Sequence, residues 1–257
     1  MSPSPFGIEG RRVVVTGACG GIGSALLAAF RGAGARIVAC DRPGPALDAL
    51  EADARHGFDL GDPASIDGAA RDLLAACGAP DIVVSNAGFT RLETMRGWDP
   101  GLAAREVEVN LTGAMRFTAA LLPAMAARGG GAIVCVSSVN ALVHVGNPAY
   151  SAAKAGLVAW CRAIAVEHGR AGIRANAVCP GSVRTPAWDH RLEKDPGVVE
   201  RTARFYPLGR LAEPAEVAAA VLFLASPLAG AITGAALPVD CGLSAGNAGF
   251  VEAVLGG

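Results

Sequence analysis

The chain has 257 residues, 52% of them hydrophobic and 18% charged, with a formal net charge of −1, which excludes a nucleic-acid surface and leaves a small molecule as the expected partner. Its seven cysteines stand singly, with no CxxC pair and no Cys/His grouping at ligand spacing, so they read as reduced thiols and no metal is expected. The opening MSPSPFGIEG has no basic region followed by an apolar run, and no apolar stretch reaches about 18 residues, so a cytoplasmic chain without secretory leader or membrane span is expected.

In chain order, the run RRVVVTG reads as a first strand and leads through TGACGGIG into a helix from Ile22. Glycines between a first strand and a first helix let the backbone turn tightly and approach a pyrophosphate, whose charge meets the helix N-terminus. Gly17, Gly20, Gly21 and Gly23 are the candidates, although glycine also serves ordinary turns. The second strand, RIVACD, ends in Asp41, 24 residues beyond Gly17. An acid near this offset accepts hydrogen bonds from an adenosine ribose and repels a 2′-phosphate, which favours NAD over NADP. Gly20 agrees, since it supplies no cation for that phosphate, whereas Arg42 argues the other way. Asp41 also reads as a solvated acid at a strand end.

A short helix near Ala46, a strand at GFDL, a helix over Ala64–Cys77 and the strand DIVVSNAG follow. A long helix spans about Gly101–Arg128, and the strand GAIVCVSS comes next. Then NPAYSAAKAG opens a helix rich in Ala and Leu. Tyr150 and Lys154 lie four residues apart, on one helix face. An ammonium beside a phenol favours the phenolate, so Lys154 is expected to lower the Tyr150 pKa and make it an acid or base; the same pair also reads as a chance surface contact. The strand IRANAVCPG, an irregular lid from about Val183 to Leu211, a helix from Pro214 and the strand AALPVD complete the chain. Strands alternating with helices define one α/β domain over residues 1–257: a doubly wound parallel sheet of about seven strands with helices on both faces.

The segments TGACGGIG, DIVVSNAG, EVNLTG, VCVSSVNAL, YSAAK, NAVCPGSVRTP and GRLAEPAEVAAAVLFLAS, in this order, resemble the short-chain dehydrogenase/reductase family from about residue 11 to residue 242. The resemblance implies a Rossmann-type oxidoreductase in which Tyr150 exchanges a proton with the substrate hydroxyl during hydride transfer. It further implies that Lys154 lowers the Tyr150 pKa and holds the nicotinamide ribose, that Ser138 bonds the substrate oxygen, and that Asn110 holds a water relaying protons from Lys154. Ser138 precedes Tyr150 by 12 residues and Ser137 by 13, the more usual spacing, and strand alternation lets only one of them serve. Ser138 is chosen and Ser137 stays as the alternative. For the cofactor, the same resemblance implies that Asp59 and Leu60 meet the adenine and that Asn86, Ala87 and Gly88 flank the ribose. Ile22 would lie under the pyrophosphate, and Pro180, Gly181, Val183 and Thr185 would border the nicotinamide.

Asn140, His144, Asn147, Trp188, His190, Arg191, Phe205 and Tyr206 are the polar or large groups expected to reach a substrate, although the histidines also read as surface residues and the aromatics as lid packing. The expected activity is NAD-dependent interconversion of a secondary alcohol and a ketone on a sugar, polyol or other small hydroxylated compound. Reduction of a 3-oxoacyl thioester on a carrier protein and a non-catalytic NAD-binding regulator are the alternatives. Similar proteins pair the long helix and the helix after Tyr150 across subunits, so a homo-oligomer, tetramer or dimer, is expected.

Overall fold

A computed structural model describes residues 5–256, without the side chains of residues 187, 190, 191 and 248. Seven parallel strands form one sheet in the order β3-β2-β1-β4-β5-β6-β7. They are β1 (Arg12–Thr16), β2 (Arg36–Asp41), β3 (Ala54–Gly57), β4 (Ile82–Ser85), β5 (Gly131–Val136), β6 (Ile173–Pro180) and β7 (Ala236–Val239). The helices that connect or cover them include α1 (Gly21–Gly32), α2 (Pro45–Asp48), α3 (Pro63–Cys77), α4 (Pro100–Val107), α5 (Gly113–Ala127) and α6 (Pro148–His168). Three more, α7 (Asp189–Lys194), α8 (Val198–Ala203) and α9 (Pro214–Ala225), follow β6.

Strand alternation divides the core into two layers. Val13 and Val15 of β1 pack with Leu26, Phe30, Val217 and Val221 from α1 and α9. Val14 turns the other way, into the layer of Leu73, Phe117, Leu121, Leu157 and Ile164 from α3, α5 and α6. In that second layer Phe58 and Phe117 stack with ring centroids 4.7 Å apart. Burial on both faces is why these strands are continuous apolar runs.

Three expectations change. The third strand is ARHG rather than GFDL, because β2 pairs in register with Ala54–Gly57, and Phe58 only extends the pairing by donating its N–H to the Asp41 carbonyl. The long helix is broken by a π-helical turn over Glu108–Thr112, which places Asn110 in one added residue between α4 and α5. The lid segment is not irregular: it carries a 3-10 turn at Pro186–Trp188 and the short helices α7 and α8. Among the described residues, no helix is long and apolar enough to cross a membrane.

The strand order reverses between β1 and β4, which opens a crevice at their C-terminal ends. Thr16 closes its floor: its hydroxyl oxygen accepts the N–H groups of Asn86 and Ala87 at 3.0 and 3.1 Å.

Candidate active site

A cavity of about 850 Å³ fills this crevice and runs from Asp41 to Tyr150. At its β1 end the glycines are a steric requirement. Gly17 has a φ of +66°, and a Cβ on it would lie 2.7 Å from the Ala87 Cα. A Cβ on Gly23 would lie 2.1 Å from the Gly17 carbonyl, and one on Gly21 would lie 2.7 Å from the Thr185 Cβ. Gly20 is less constrained, its closest approach being 3.4 Å. The turn delivers α1 with neither a side-chain cap nor an acid in its first turn, which suits an N-terminus facing an anion, and Ile22 lines the wall there.

Asp41 reaches back over this turn. Its carboxylate accepts the Cys19 N–H and the Arg42 N–H, both at 2.8 Å, and both flanking residues line the cavity. Burial and the neighbouring Asp41 push the Cys19 thiol up to about 11, so it stays protonated. The Asn86 amide donates to the carbonyls of Thr16 and Gly17, both at 3.0 Å, stapling the end of β4 to the glycine turn. Asp59 and Leu60 also line the cavity, and the Asp59 carboxylate holds the Gly61 N–H at 2.7 Å and pairs with Arg105 at 3.1 Å. Ala87, Gly88, Pro180, Gly181, Val183 and Thr185 complete the part of the wall foreseen from sequence.

At the other end the helical spacing brings Tyr150 and Lys154 to the same wall. The Lys154 ammonium lies 5.5 Å from the Tyr150 ring centroid and donates to the Val136 carbonyl at 2.9 Å. The two serines part as strand alternation requires. Ser137 donates to the Lys154 carbonyl at 2.8 Å, whereas Ser138 donates to Asn140 Oδ1 at 3.1 Å beside Tyr150. Ser138 also caps the turn over Val139–Ala141 by accepting the Asn140 N–H at 3.2 Å.

The protonation states correct one expectation. Burial pushes the Tyr150 phenol up to about 12; the neighbouring Ser138 hydroxyl opposes this, and Glu106 and Cys179 add to it. Lys154 does not depress the phenol in this geometry, because its ammonium sits against the ring and the Val136 carbonyl. Burial brings Lys154 itself down to about 8.

Asn110 is fully buried behind the wall. Its Oδ1 accepts the Phe89 N–H at 3.0 Å, and its Nδ2 donates to the carbonyls of Phe89 and Glu106 at 2.5 and 2.8 Å. With both amide hydrogens engaged, the side chain fixes the segment after β4.

Three of the expected substrate contacts, Asn140, Asn147 and Tyr206, hold loops instead, and these three, His144 and Trp188 do not contribute to the cavity wall. The Asn140 amide donates to the Gly146 carbonyl and the Ser151 hydroxyl at 2.8 and 3.1 Å. Asn147 takes the left-handed conformation, φ +52°, that asparagine tolerates, and donates to Thr90 Oγ1 at 3.0 Å. Tyr206 is buried, its hydroxyl oxygen accepting the Ser182 N–H at 2.9 Å. His144 and Phe205 are exposed, Trp188 is partly buried in its 3-10 turn, and the side chains of His190 and Arg191 lie outside the described residues.

Sequence reasoning missed Phe89, Thr90, Arg91, Arg105 and Val109 in the wall, and Glu106 behind it. Glu106 had a signal: it falls three residues after Ala103 and four before Asn110, on the buried stripe of α4.

A family model described as "Enoyl-(Acyl carrier protein) reductase" matches residues 17–244. D-threitol dehydrogenase of Mycolicibacterium smegmatis is 37% identical, over 92% of this chain and 94% of that protein. Galactitol 2-dehydrogenase (L-tagatose-forming) of Cereibacter sphaeroides is also 37% identical, over 92% and 96%. Among solved structures, a short-chain dehydrogenase/reductase family oxidoreductase from Burkholderia thailandensis superposes with a TM-score of 0.89 at 43% identity, covering 96% of this chain and 97% of that one. L-sorbose reductase from Gluconobacter frateurii, complexed with NADPH and L-sorbose, gives 0.86 at 30% identity, covering 93% and 98%. The crevice of a doubly wound sheet, with a glycine turn at one end and a tyrosine and lysine at the other, defines a dinucleotide-dependent oxidoreductase. The chain belongs to the short-chain dehydrogenase/reductase family.

Proposed function

We propose that this chain is an NAD-dependent oxidoreductase that interconverts a secondary alcohol and a ketone on a polyol, a sugar or a similar small hydroxylated compound. The observation that carries the reading is that one cavity joins the Asp41 carboxylate and the glycine turn to Tyr150, Lys154 and the end of β5 at Ser138. The residues fit a dinucleotide: Gly17, Gly21 and Gly23 keep clear a cradle that a Cβ would fill, and the first turn of α1 is uncapped. Asp41, held by two backbone N–H groups, would face the adenosine ribose and oppose a 2′-phosphate. Lys154 would hold the nicotinamide ribose. When bound, the nicotinamide accepts or delivers the hydride.

The protein's own residues handle the proton. Ser138 orients the substrate oxygen and stabilises its developing negative charge. As the phenol, its form at neutral pH, Tyr150 donates its proton to a carbonyl oxygen in reduction; as the phenolate it takes the hydroxyl proton in oxidation. Proton donation needs the phenol and proton abstraction the phenolate, so alcohol oxidation accelerates as pH rises from about 7 to about 10.

The substrate class rests on the threitol, galactitol and sorbose enzymes among the similar proteins. The 3-oxoacyl thioester alternative is disfavoured by Asp41, since it is commonly a reaction of the phosphorylated cofactor. Exposed Ala152, Ala155 and Ala159 give α6 a smooth outer face, and a homo-oligomer packed there belongs to the same reading; sedimentation showing only monomer would remove that part. The main test is a panel of four- to six-carbon polyols and ketoses assayed with NAD and with NADP. Turnover of a polyol with NAD is expected, and activity confined to acyl thioesters with NADP would overturn the reading.

A further inference from the structure

We propose that Asn140 is a positioning residue that draws the Ser138 hydrogen away from the cavity, so that the reaction site at neutral pH favours the alcohol over the ketone. The inference rests on the reading of Ser138 as the group that faces the substrate oxygen.

The Asn140 amide is held in one orientation. Its Nδ2 donates to the Gly146 carbonyl at 2.8 Å and to the Ser151 hydroxyl at 3.1 Å. A carbonyl can only accept, so the amide cannot be turned over, and Oδ1 is the atom that faces Ser138. Ser138 Oγ lies 3.1 Å from that oxygen and supplies the hydrogen between them. The Asn140 N–H meets the same Oγ at 3.2 Å and takes one of its lone pairs. A hydroxyl has one hydrogen and two lone pairs. Ser138, which lines the cavity, is left with one lone pair and no hydrogen for what enters there.

The frame behind Asn140 is equally complete. Gly146 has a φ of +95°, which L side chains rarely adopt, and its carbonyl faces both Asn140 and Ser151. Ser151 accepts the Asn140 amide and has the carbonyls of Gly146 and Asn147 at 2.9 and 2.8 Å for its own hydrogen. It follows Tyr150 directly in the first turn of α6. One hydrogen-bonded network thus runs from Ser138 to the start of the helix that carries Tyr150.

The consequence is a chemical preference. An alcohol beside the Tyr150 phenol accepts the phenolic hydrogen and donates its own to the free lone pair of Ser138. A ketone has no hydrogen to give, so its oxygen meets that lone pair as one acceptor against another. For Ser138 to stabilise negative charge developing on the substrate oxygen, its hydrogen must swing from Asn140 Oδ1 to that oxygen. Asn140 therefore sets the relative affinity of the two substrates, while the overall equilibrium of the reaction is untouched.

Two measurements decide the proposal. Neutron diffraction from a crystal of the deuterium-exchanged protein locates the Ser138 hydrogen and needs neither cofactor nor substrate. Nuclear density between Ser138 Oγ and Asn140 Oδ1 is expected, and a hydrogen directed into the cavity would overturn the proposal. The second is calorimetry near pH 7 on two dead-end complexes in which no hydride can move: xylitol on the NADH-bound protein and D-xylulose on the NAD-bound protein. In Asn140→Ala the ratio of the D-xylulose Kd to the xylitol Kd should fall at least about fivefold, because Ser138 regains a hydrogen to donate. Asn140→Asp removes the amide hydrogens that hold Gly146 but keeps an acceptor for Ser138, so its ratio should stay within about twofold of wild type. Equal weakening of both ligands in Asn140→Ala, or the same altered ratio in both variants, would reduce Asn140 to a loop support and overturn the proposal. Xylitol and D-xylulose that bind neither complex would count against the proposed function, and the neutron map would still decide the proposal.

Discussion

Lys154 is a buried cation whose ammonium finds one carbonyl, that of Val136, and a tyrosine ring. Burial lowers its pKa to about 8, so between about 8 and the unfolded value of 10.5 the unfolded chain binds more protons than the folded one. Over that window stability from this residue rises with pH; above about 10 the raised phenol of Tyr150 works in the opposite sense, because there the folded state holds the extra proton. The stability of wild type relative to Lys154→Met, read from denaturant melts, is therefore expected to increase from pH 7.5 to pH 9.5. A constant difference would mean that the ammonium is solvated. Asp41 gives a second prediction at this scale. Asp41→Ala removes the carboxylate proposed to face the ribose and leaves Arg42 at the cavity wall. The ratio of kcat/KM with NAD to that with NADP should fall by at least about tenfold, equivalent to about 1.4 kcal/mol. An unchanged ratio would show that the ribose binds elsewhere.

The π-helical turn between α4 and α5 is the element that makes the site from ordinary helices. Its extra residue puts Asn110 against Phe89, while Gly113, the first residue of α5, meets the loop after β3 so closely that a Cβ would lie 2.0 Å from the Leu60 carbonyl. Gly113→Ala must displace Leu60, a wall residue, and should destabilise by about 1–3 kcal/mol while raising the KM for NAD. Gly68→Ala on α3 is the control, since its Cβ meets nothing within 4 Å, and it should stabilise by about 0.5–1 kcal/mol through helix propensity. Equal melting temperatures for the two variants would contradict this account of the turn.

For the whole molecule, the sheet and its crevice were legible because the central strands are buried on both faces and so stand out as apolar runs between helical patterns. β3 escaped because it is an edge strand that carries Arg55 and His56 and alternates in exposure, so only pairing with β2 locates it. The π-helical turn escaped because one added residue barely disturbs a periodicity near 3.6. In the site, the glycine turn, Asp41 and the Tyr150–Lys154 pair were legible because each is set by local spacing. Asn140, Asn147 and Tyr206 were misread because a polar side chain that holds a loop looks, in sequence, like one that waits for a ligand. Glu106 and Arg91 enter only through contacts that cross the chain between α4 and the segment after β4.

The central claim is that Tyr150 moves the proton in a crevice whose other groups bind the dinucleotide. It is tested most directly by measuring NADH affinity and polyol turnover together in Tyr150→Phe. The account predicts an affinity within about threefold of wild type with turnover reduced by at least about 10²-fold, the usual weight of a positioned acid/base. Turnover near the wild-type rate in that variant would contradict it.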